Sequence, residues 1–126
     1  MVKPFVSKFG AVPWQSIMAP GPEHKWLVKG LLTEGELSML AGASQSGKSF
    51  LTIDLAMAIA RGVNWMGRKV SPGGVIYQAG EGASGLRRRR IPAYMKEYGV
   101  SPDDDVPFVF MPGKVNLWDG TASTDE

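Results

Sequence analysis

Three short apolar runs along the chain predict buried strands. The first is ELSMLA, residues 36–41, which follows the turn residues Glu34 and Gly35. The second is GVIYQA, residues 74–79, which follows a Ser-Pro-Gly turn, and the third is PFVFM, residues 107–111. Short apolar runs that are bounded by turn residues are typical of strands in a sheet core.

A helical repeat follows the first run. Residues 48–61, KSFLTIDLAMAIAR, place Leu51, Leu55 and Ala58 at helical spacing. Gly62 stands where a left-handed cap is expected to end this helix.

A second helix is predicted to begin at about Ala83. Pro92 either kinks this helix or begins a new one, and Gly99 ends it. The resulting order is strand, helix, strand, helix, strand. This order predicts an α/β domain with a parallel sheet and crossover helices.

The N-terminal segment differs in character from the rest. Residues 1–25 contain four prolines and therefore predict an extended arm, not a helix. We assign residues 26–126 to the α/β domain. We expect Trp14 and Trp26 to pack the arm against it.

Composition narrows the class of protein. Hydrophobic residues make up 44% of the 126 positions, which is enough for a folded core. The absence of cysteine excludes disulfides and thiolate metal sites and suits a cytoplasmic protein. No apolar stretch reaches the length of a membrane span, because the best candidate, IDLAMAIA, is short and contains Asp54.

Charge is distributed unevenly along the chain. Residues 1–102 carry 13 basic and 6 acidic side chains, a formal +7, whereas residues 103–126 carry 1 and 6, a formal −5. Arg87–Arg90 are the densest basic run. Four consecutive helix residues point in different directions, so they cannot all contact one ligand. They are either a solvated basic face or a contact for nucleic-acid phosphates, whereas Asp103–Asp105 are interpreted as a polar loop.

The segment GASQSGKS, residues 42–49, carries the clearest chemistry. It satisfies the pattern G-x-x-x-x-G-K-[ST], in which a glycine-rich backbone turns its N–H groups toward phosphate oxygens at a helix N-terminus. Lys48 is expected to reach the β- and γ-phosphates, and the Ser49 hydroxyl to bind Mg²⁺. The predicted ligands are ATP and Mg²⁺, and the predicted contacts are Gly42, Ala43, Ser44, Gln45, Ser46, Gly47, Lys48, Ser49 and Phe50.

Glu81 is the second candidate. It follows the predicted strand VIYQ, and ligands of open α/β sheets bind at the carboxyl ends of strands. A carboxylate there can orient and deprotonate the water that attacks the γ-phosphate. The alternative is a solvated glutamate in a turn between two glycines.

Taken together, WLVKGLL, LSMLAGASQSGKSFLTIDLA and GGVIYQAGEGASGLRRR resemble the RecA-like ATPases of the RepA helicase type, common in plasmids and phages. The resemblance covers about residues 26–118. It implies that Lys48 and Ser49 bind nucleotide and magnesium and that Glu81 is catalytic. It also implies ATP hydrolysis in hexameric rings that move along single-stranded DNA during replication.

The chain departs from that family in its later part. Such enzymes have a further strand that ends in aspartate, whereas PFVFM ends in Pro-Gly, and no arginine finger is recognised. Ser123 and Glu126 form a capping-box pattern that predicts a further helix. We therefore expect residues 1–126 to be the N-terminal part of a longer ATPase with only trace activity by itself.

Two other functions remain open. One is a nucleotide-binding module without turnover, which another chain completes or which is not catalytic. The other is a small-molecule phosphotransferase, for which the sequence offers neither a phosphate-clamping lid nor an acceptor pocket. Glu81 favours hydrolysis over transfer.

Overall fold

The computed structural model describes residues 7–21, 23–118, 120 and 122–123. At its centre lies helix α1, Lys48–Arg61, with the bounds that the apolar spacing predicts. Gly47 precedes the helix with φ 87°, and Gly62 ends it with φ 64°. Both angles lie in the left-handed region that glycine adopts without a steric penalty.

Helix α1 is buried on two sides, more than its predicted apolar stripe implies. Ile53 and Met57 join one cluster with Ala79, Leu86 and Tyr94. Ala58 joins a second cluster with the buried side chains of Val28 and Trp65, and Leu51 and Leu55 pack on its margin. The helix therefore connects the two halves of the core and fixes the position of the loop that precedes it.

A parallel β-α-β unit packs against the first of these clusters. Strand β3, Val75–Gln78, pairs in parallel with strand β4, Phe108–Met111, from Val75 opposite Phe108 to Gln78 opposite Met111. Both strands and their parallel pairing are confirmed. Their carboxyl ends meet at one edge of the sheet.

The crossover between β3 and β4 is helical throughout but changes its geometry. It consists of α2 (Ala83–Gly85), a π-helical turn (Leu86–Arg90) and α3 (Ile91–Tyr98), and Gly99 ends it with φ 64°. Pro92 lies in the first turn of α3 and has no N–H to donate to the preceding turn. The wider π-helical turn lies at the point where that proline interrupts the hydrogen-bond ladder.

Two small antiparallel ladders complete the described structure. Strand β1, Trp26–Val28, pairs with β2, Leu32–Thr33, and Val28 is fully buried. Strand β5, Lys114–Val115, pairs with β6, Ala122–Ser123. Ser123 therefore lies in a strand and not at a helix start, and Glu126 lies outside the described residues.

The predicted strand at residues 36–41 is wrong. In the structure these residues belong to no strand or helix, and the side chains of Leu37 and Met39 are 99% and 90% exposed. A strand requires a partner for its backbone N–H and C=O groups. The parallel sheet of the described residues contains only β3 and β4, and neither pairs with this segment. Of the three strands that the sequence predicts, the described parallel sheet therefore contains two.

The N-terminal segment is extended apart from one short 3₁₀ turn at Trp14–Ser16, as far as residues 7–21 show. Trp14 is 81% exposed, so it does not pack the arm against the domain, and that expectation is wrong. Trp26 lies in β1, beyond the arm. The domain division at residue 25 stays a prediction. Within the described residues, no helix combines the length and the apolar character that crossing a bilayer requires.

Gly62→Ala should destabilise the chain more than Gly99→Ala does. Both glycines have φ 64°, so an alanine at either position costs about 1 kcal/mol in backbone strain. At Gly62 the added Cβ would also lie 3.0 Å from Cβ of Pro72, whereas at Gly99 it meets nothing within 4 Å. We expect this crowding to cost about a further 1 kcal/mol. Urea unfolding of the two variants measures the difference, and equal losses would contradict the proposed contact with Pro72.

Candidate nucleotide-binding site

The loop that enters α1 has the backbone of a phosphate-binding turn. Gln45 has φ 62° and Gly47 has φ 87°, so the chain turns twice through the left-handed region. Among the described residues, no group accepts a hydrogen bond from the backbone N–H of Gly47, Lys48 or Ser49. These N–H groups lie at the positive end of a 14-residue helix, where an anion is the favoured ligand.

Gly42 is required by the close approach of the loop to itself. A Cβ at this position would lie 3.0 Å from Oγ of Ser46 and 3.6 Å from Cδ of Lys48. Any larger residue would therefore displace side chains from the inside of the turn. This contact gives the first glycine of the sequence pattern a steric explanation.

Lys48 closes the loop with its side chain. Its Nζ donates hydrogen bonds to the carbonyl oxygens of Gly42 and Ala43, each at 2.6 Å. An ammonium group has three donors, so one remains for a ligand. The ammonium group is therefore held at the start of the loop, against the carbonyl groups of Gly42 and Ala43.

A cavity of about 520 Å³ joins the loop to the end of strand β3. This volume lies within the range of small-molecule sites in proteins. Its lining residues are Ser44, Gln45, Ser46, Gly47, Lys48, Ser49, Phe50, Glu81, Gly82, Gly85, Leu86 and Arg90. Of the nine predicted nucleotide contacts, seven line this cavity, while Gly42 and Ala43 hold Lys48 through their carbonyl groups.

Glu81 reaches the cavity from the sheet side. Strand β3 ends at Gln78, the buried Ala79 donates its N–H to the carbonyl of Met111, and the chain then turns through Gly80 and Glu81. Gly82, with φ 66°, begins helix α2. Glu81 therefore follows the carboxyl end of β3 and lines the same cavity as Lys48.

A family model described as an AAA domain matches residues 3–125, nearly the whole chain. The chain belongs to this family. Comparison with curated proteins and with solved structures gave no match. The AAA domain is a P-loop ATPase fold, in agreement with the loop, the helix that follows it and the parallel β-α-β unit. The family is one of nucleotide-binding ATPases, and the match does not extend to the RepA helicase type.

A contact between two hydroxyl groups connects helix α1 of the AAA domain to strand β3, which precedes Glu81 in the chain. Oγ1 of Thr52 lies 2.9 Å from the hydroxyl oxygen of Tyr77 in β3. The Tyr77 ring lies 6.2 Å and 6.3 Å, between centroids, from the rings of Phe108 and Phe110 in β4. The hydroxyl contact joins α1, which begins at the loop, to β3, which ends three residues before Glu81. No sequence pattern indicates this pairing, because the two residues are 25 positions apart.

The residues present fit a magnesium ion that is held mainly by the nucleotide. The Ser49 hydroxyl has no hydrogen-bond partner among the described residues, and it lines the cavity. The described residues contain no group of three or more histidine, aspartate or glutamate side chains that could hold a metal ion. Mg²⁺ typically keeps several waters and takes one or two protein ligands beside phosphate oxygens. One protein hydroxyl group is therefore compatible with a magnesium ion whose other ligands are phosphate oxygens and water.

The remaining carboxylates lie elsewhere or are already engaged. Asp54 accepts a hydrogen bond of 2.8 Å from Nε1 of Trp65, and Asp104 accepts one of 2.7 Å from the N–H of Ser101. The second contact explains the polar loop at Asp103–Asp105 as local turn structure. Asp119 lies outside the described residues. Ser49 and Glu81 therefore both line the cavity of the AAA domain. Among the described residues, no acidic group other than Glu81 lines it.

The four arginines diverge, as the sequence predicts. Arg88 and Arg89 are exposed, and Arg87 lines a separate cavity beside Phe108 and Phe110. Arg90 is half-buried and lines the cavity of the loop. The sequence pattern does not distinguish Arg90 from its neighbours, because the direction of each side chain depends on the π-helical turn.

Proposed function

We propose that this AAA domain binds ATP with Mg²⁺ at residues 42–50 and hydrolyses it with Glu81 as the general base. The observation that carries the proposal is that Lys48 and Glu81 line one cavity at the N-terminus of α1. A phosphate-binding group and a carboxylate at the opposite wall are what γ-phosphate hydrolysis requires.

Each residue has a defined part in this reaction. The free N–H groups of Gly47, Lys48 and Ser49 hold phosphate oxygens, and the Lys48 ammonium balances their charge. The Ser49 hydroxyl would hold Mg²⁺, which neutralises charge on the β- and γ-phosphates when it is bound. Glu81 accepts a proton from water while the water oxygen attacks the γ-phosphorus. The bond from that phosphorus to the β–γ bridging oxygen breaks, and ADP and phosphate leave.

Glu81 is available for this role. No described residue donates a hydrogen bond to its carboxylate or forms an ion pair with it, and the side chain is exposed to solvent that can supply the water. A base must lie within hydrogen-bond reach of the proton that it takes, and a carboxylate at the cavity wall can meet a water above the loop.

We further propose that the energy of ATP is used on single-stranded DNA, in a hexameric helicase of the RepA type that serves phage or plasmid replication in the cytoplasm. The support is the resemblance of residues 26–118 to that type, together with the exposed Arg87, Arg88 and Arg89. Exposed arginines offer a sequence-independent contact for phosphates.

The test measures binding and phosphate release separately. A fluorescent ATP analogue is titrated with and without Mg²⁺, and phosphate formed from ATP is followed over hours with and without single-stranded DNA. We expect Mg²⁺-dependent binding and slow release that DNA accelerates. Release that Glu81→Gln leaves unchanged would contradict the role of Glu81, and release that DNA leaves unchanged would contradict the helicase part. Light scattering with bound ATP tests the hexamer.

A further inference from the structure

We propose that Arg90 is a ligand of the nucleotide phosphates and that Phe50 holds it in position. This inference rests on the proposed function, since it assigns a further contact to the same nucleotide. It gives one of the four arginines a role that its sequence context does not suggest. Arg87, Arg88 and Arg89 do not share this role, because none of them lines the cavity of the loop.

The π-helical turn brings Arg90 to the cavity. Residues Leu86–Arg90 form hydrogen bonds with a spacing of five, so residues four or five positions apart lie on the same face. Gly85, Leu86 and Arg90 have this separation, and all three line the cavity together with the loop. Arg87 lies on another face, beside the strand residues Phe108 and Phe110.

The Phe50 ring contacts the guanidinium group of Arg90. Cζ of Arg90 lies 4.3 Å from the centroid of the Phe50 ring. The ring is 61% exposed, although it directly follows Ser49 at the start of α1. A large apolar ring in an exposed position next to a phosphate loop has no evident packing role. Its position is explained if the ring keeps the planar guanidinium over the loop helix.

The donors of Arg90 have no partner in the part of the chain that the structure describes. Among the described residues, no group accepts a hydrogen bond from its guanidinium, and no carboxylate forms an ion pair with it. A guanidinium has five N–H donors in a rigid plane, which match two oxygens of one phosphate. The matching ligand beside the free N–H groups of the loop is therefore a polyphosphate.

The experiment compares Arg90→Ala with Arg89→Ala in the 126-residue chain. Both variants lose one positive charge from the same turn, so long-range attraction falls equally, but only Arg90 lines the cavity. Affinity for a fluorescent ATP analogue is measured by titration in Mg²⁺, with unlabelled ATP and inorganic tripolyphosphate as competitors. We expect Arg90→Ala to weaken ATP and tripolyphosphate alike by roughly 10- to 100-fold, the loss typical of a charge-assisted hydrogen bond. Arg89→Ala should stay within about twofold of the parent.

A second variant tests the contact between the Phe50 ring and the Arg90 guanidinium group. Phe50→Leu keeps an apolar side chain but removes the ring, so we expect a smaller loss, roughly 3- to 10-fold, in the order of a single cation–π contact. Circular dichroism of each variant verifies the helical content. If Arg90→Ala does not fold, Arg90→Lys replaces it, because lysine keeps the charge but loses the bidentate geometry. It should then bind at least threefold more weakly than the parent.

Three results would overturn the inference. Equal affinities of Arg90→Ala and Arg89→Ala, with binding lost in Lys48→Ala, would remove Arg90 from the site and leave the proposed function intact. A loss for ATP but not for tripolyphosphate would move the contact of Arg90 from the phosphates to the nucleoside. Absence of nucleotide binding by the parent chain would reject the proposed function and this inference together.

Discussion

ATP hydrolysis should fall about 10²- to 10⁴-fold when Glu81 is replaced by glutamine, while ATP affinity stays nearly unchanged. Glutamine keeps the size and shape of the side chain at the end of β3 but cannot accept a proton from water. The backbone N–H groups of the loop and Lys48, the proposed phosphate ligands, are not altered by this change. Loss of rate with retained affinity is the signature of a group that acts in the transition state.

The measurement is steady-state phosphate release in a form of the protein with measurable turnover, beside a titration with a fluorescent ATP analogue. Glu23→Gln is the matched control, because Glu23 is an exposed glutamate outside the cavity. An unchanged rate in Glu81→Gln would return Glu81 to a solvated turn residue.

Lys48→Ala should weaken ATP binding by about 1.5 to 3 kcal/mol, or roughly 10- to 150-fold. The change removes the charge that we propose faces the β- and γ-phosphates. It also releases the carbonyl oxygens of Gly42 and Ala43, which Lys48 holds at 2.6 Å. The two effects act in the same direction, because an unclosed loop must be ordered when the nucleotide binds.

Lys48→Met separates the charge from the aliphatic stem. It retains the length of the side chain, so an equal loss in Lys48→Met and Lys48→Ala assigns the effect to the ammonium group. Lys96→Ala is the control, since Lys96 is an exposed lysine on α3 that does not line the cavity. Equal affinity of Lys48→Ala and the parent would exclude residues 42–50 as the binding site.

The local patterns of the sequence were enough for α1, β3 and β4. The apolar repeat of residues 48–61 and the cap at Gly62 define a helix by contacts within the helix and its immediate neighbours. The same reasoning failed for residues 36–41. The segment ELSMLA has four apolar residues in six, but a strand exists only where another strand accepts its hydrogen bonds. A sequence pattern does not reveal that partner.

The sequence also located part of the candidate site, but not the contacts between its side chains. The loop could be located because all its parts are contiguous, and Glu81 because a general rule relates strand ends to ligands. The contacts of Phe50 with Arg90 and of Thr52 with Tyr77 could not be found in this way. They depend on the pitch of one helical turn and on the separation of a helix from a strand, and both are products of the folded packing.

The loop is anchored unequally at its two ends. On the helix side the carbonyl of Gly47 accepts hydrogen bonds from Phe50 and Leu51, whereas the backbone of residues 37–41 has no hydrogen-bond partner among the described residues. Amide protons of such a segment exchange freely with solvent, and those of α1 do not. Any interaction that orders residues 37–41 therefore reduces the conformational entropy that the loop loses when it binds a nucleotide. We therefore expect nucleotide binding and the ordering of this segment to be thermodynamically linked, so that each raises the equilibrium constant of the other by the same factor.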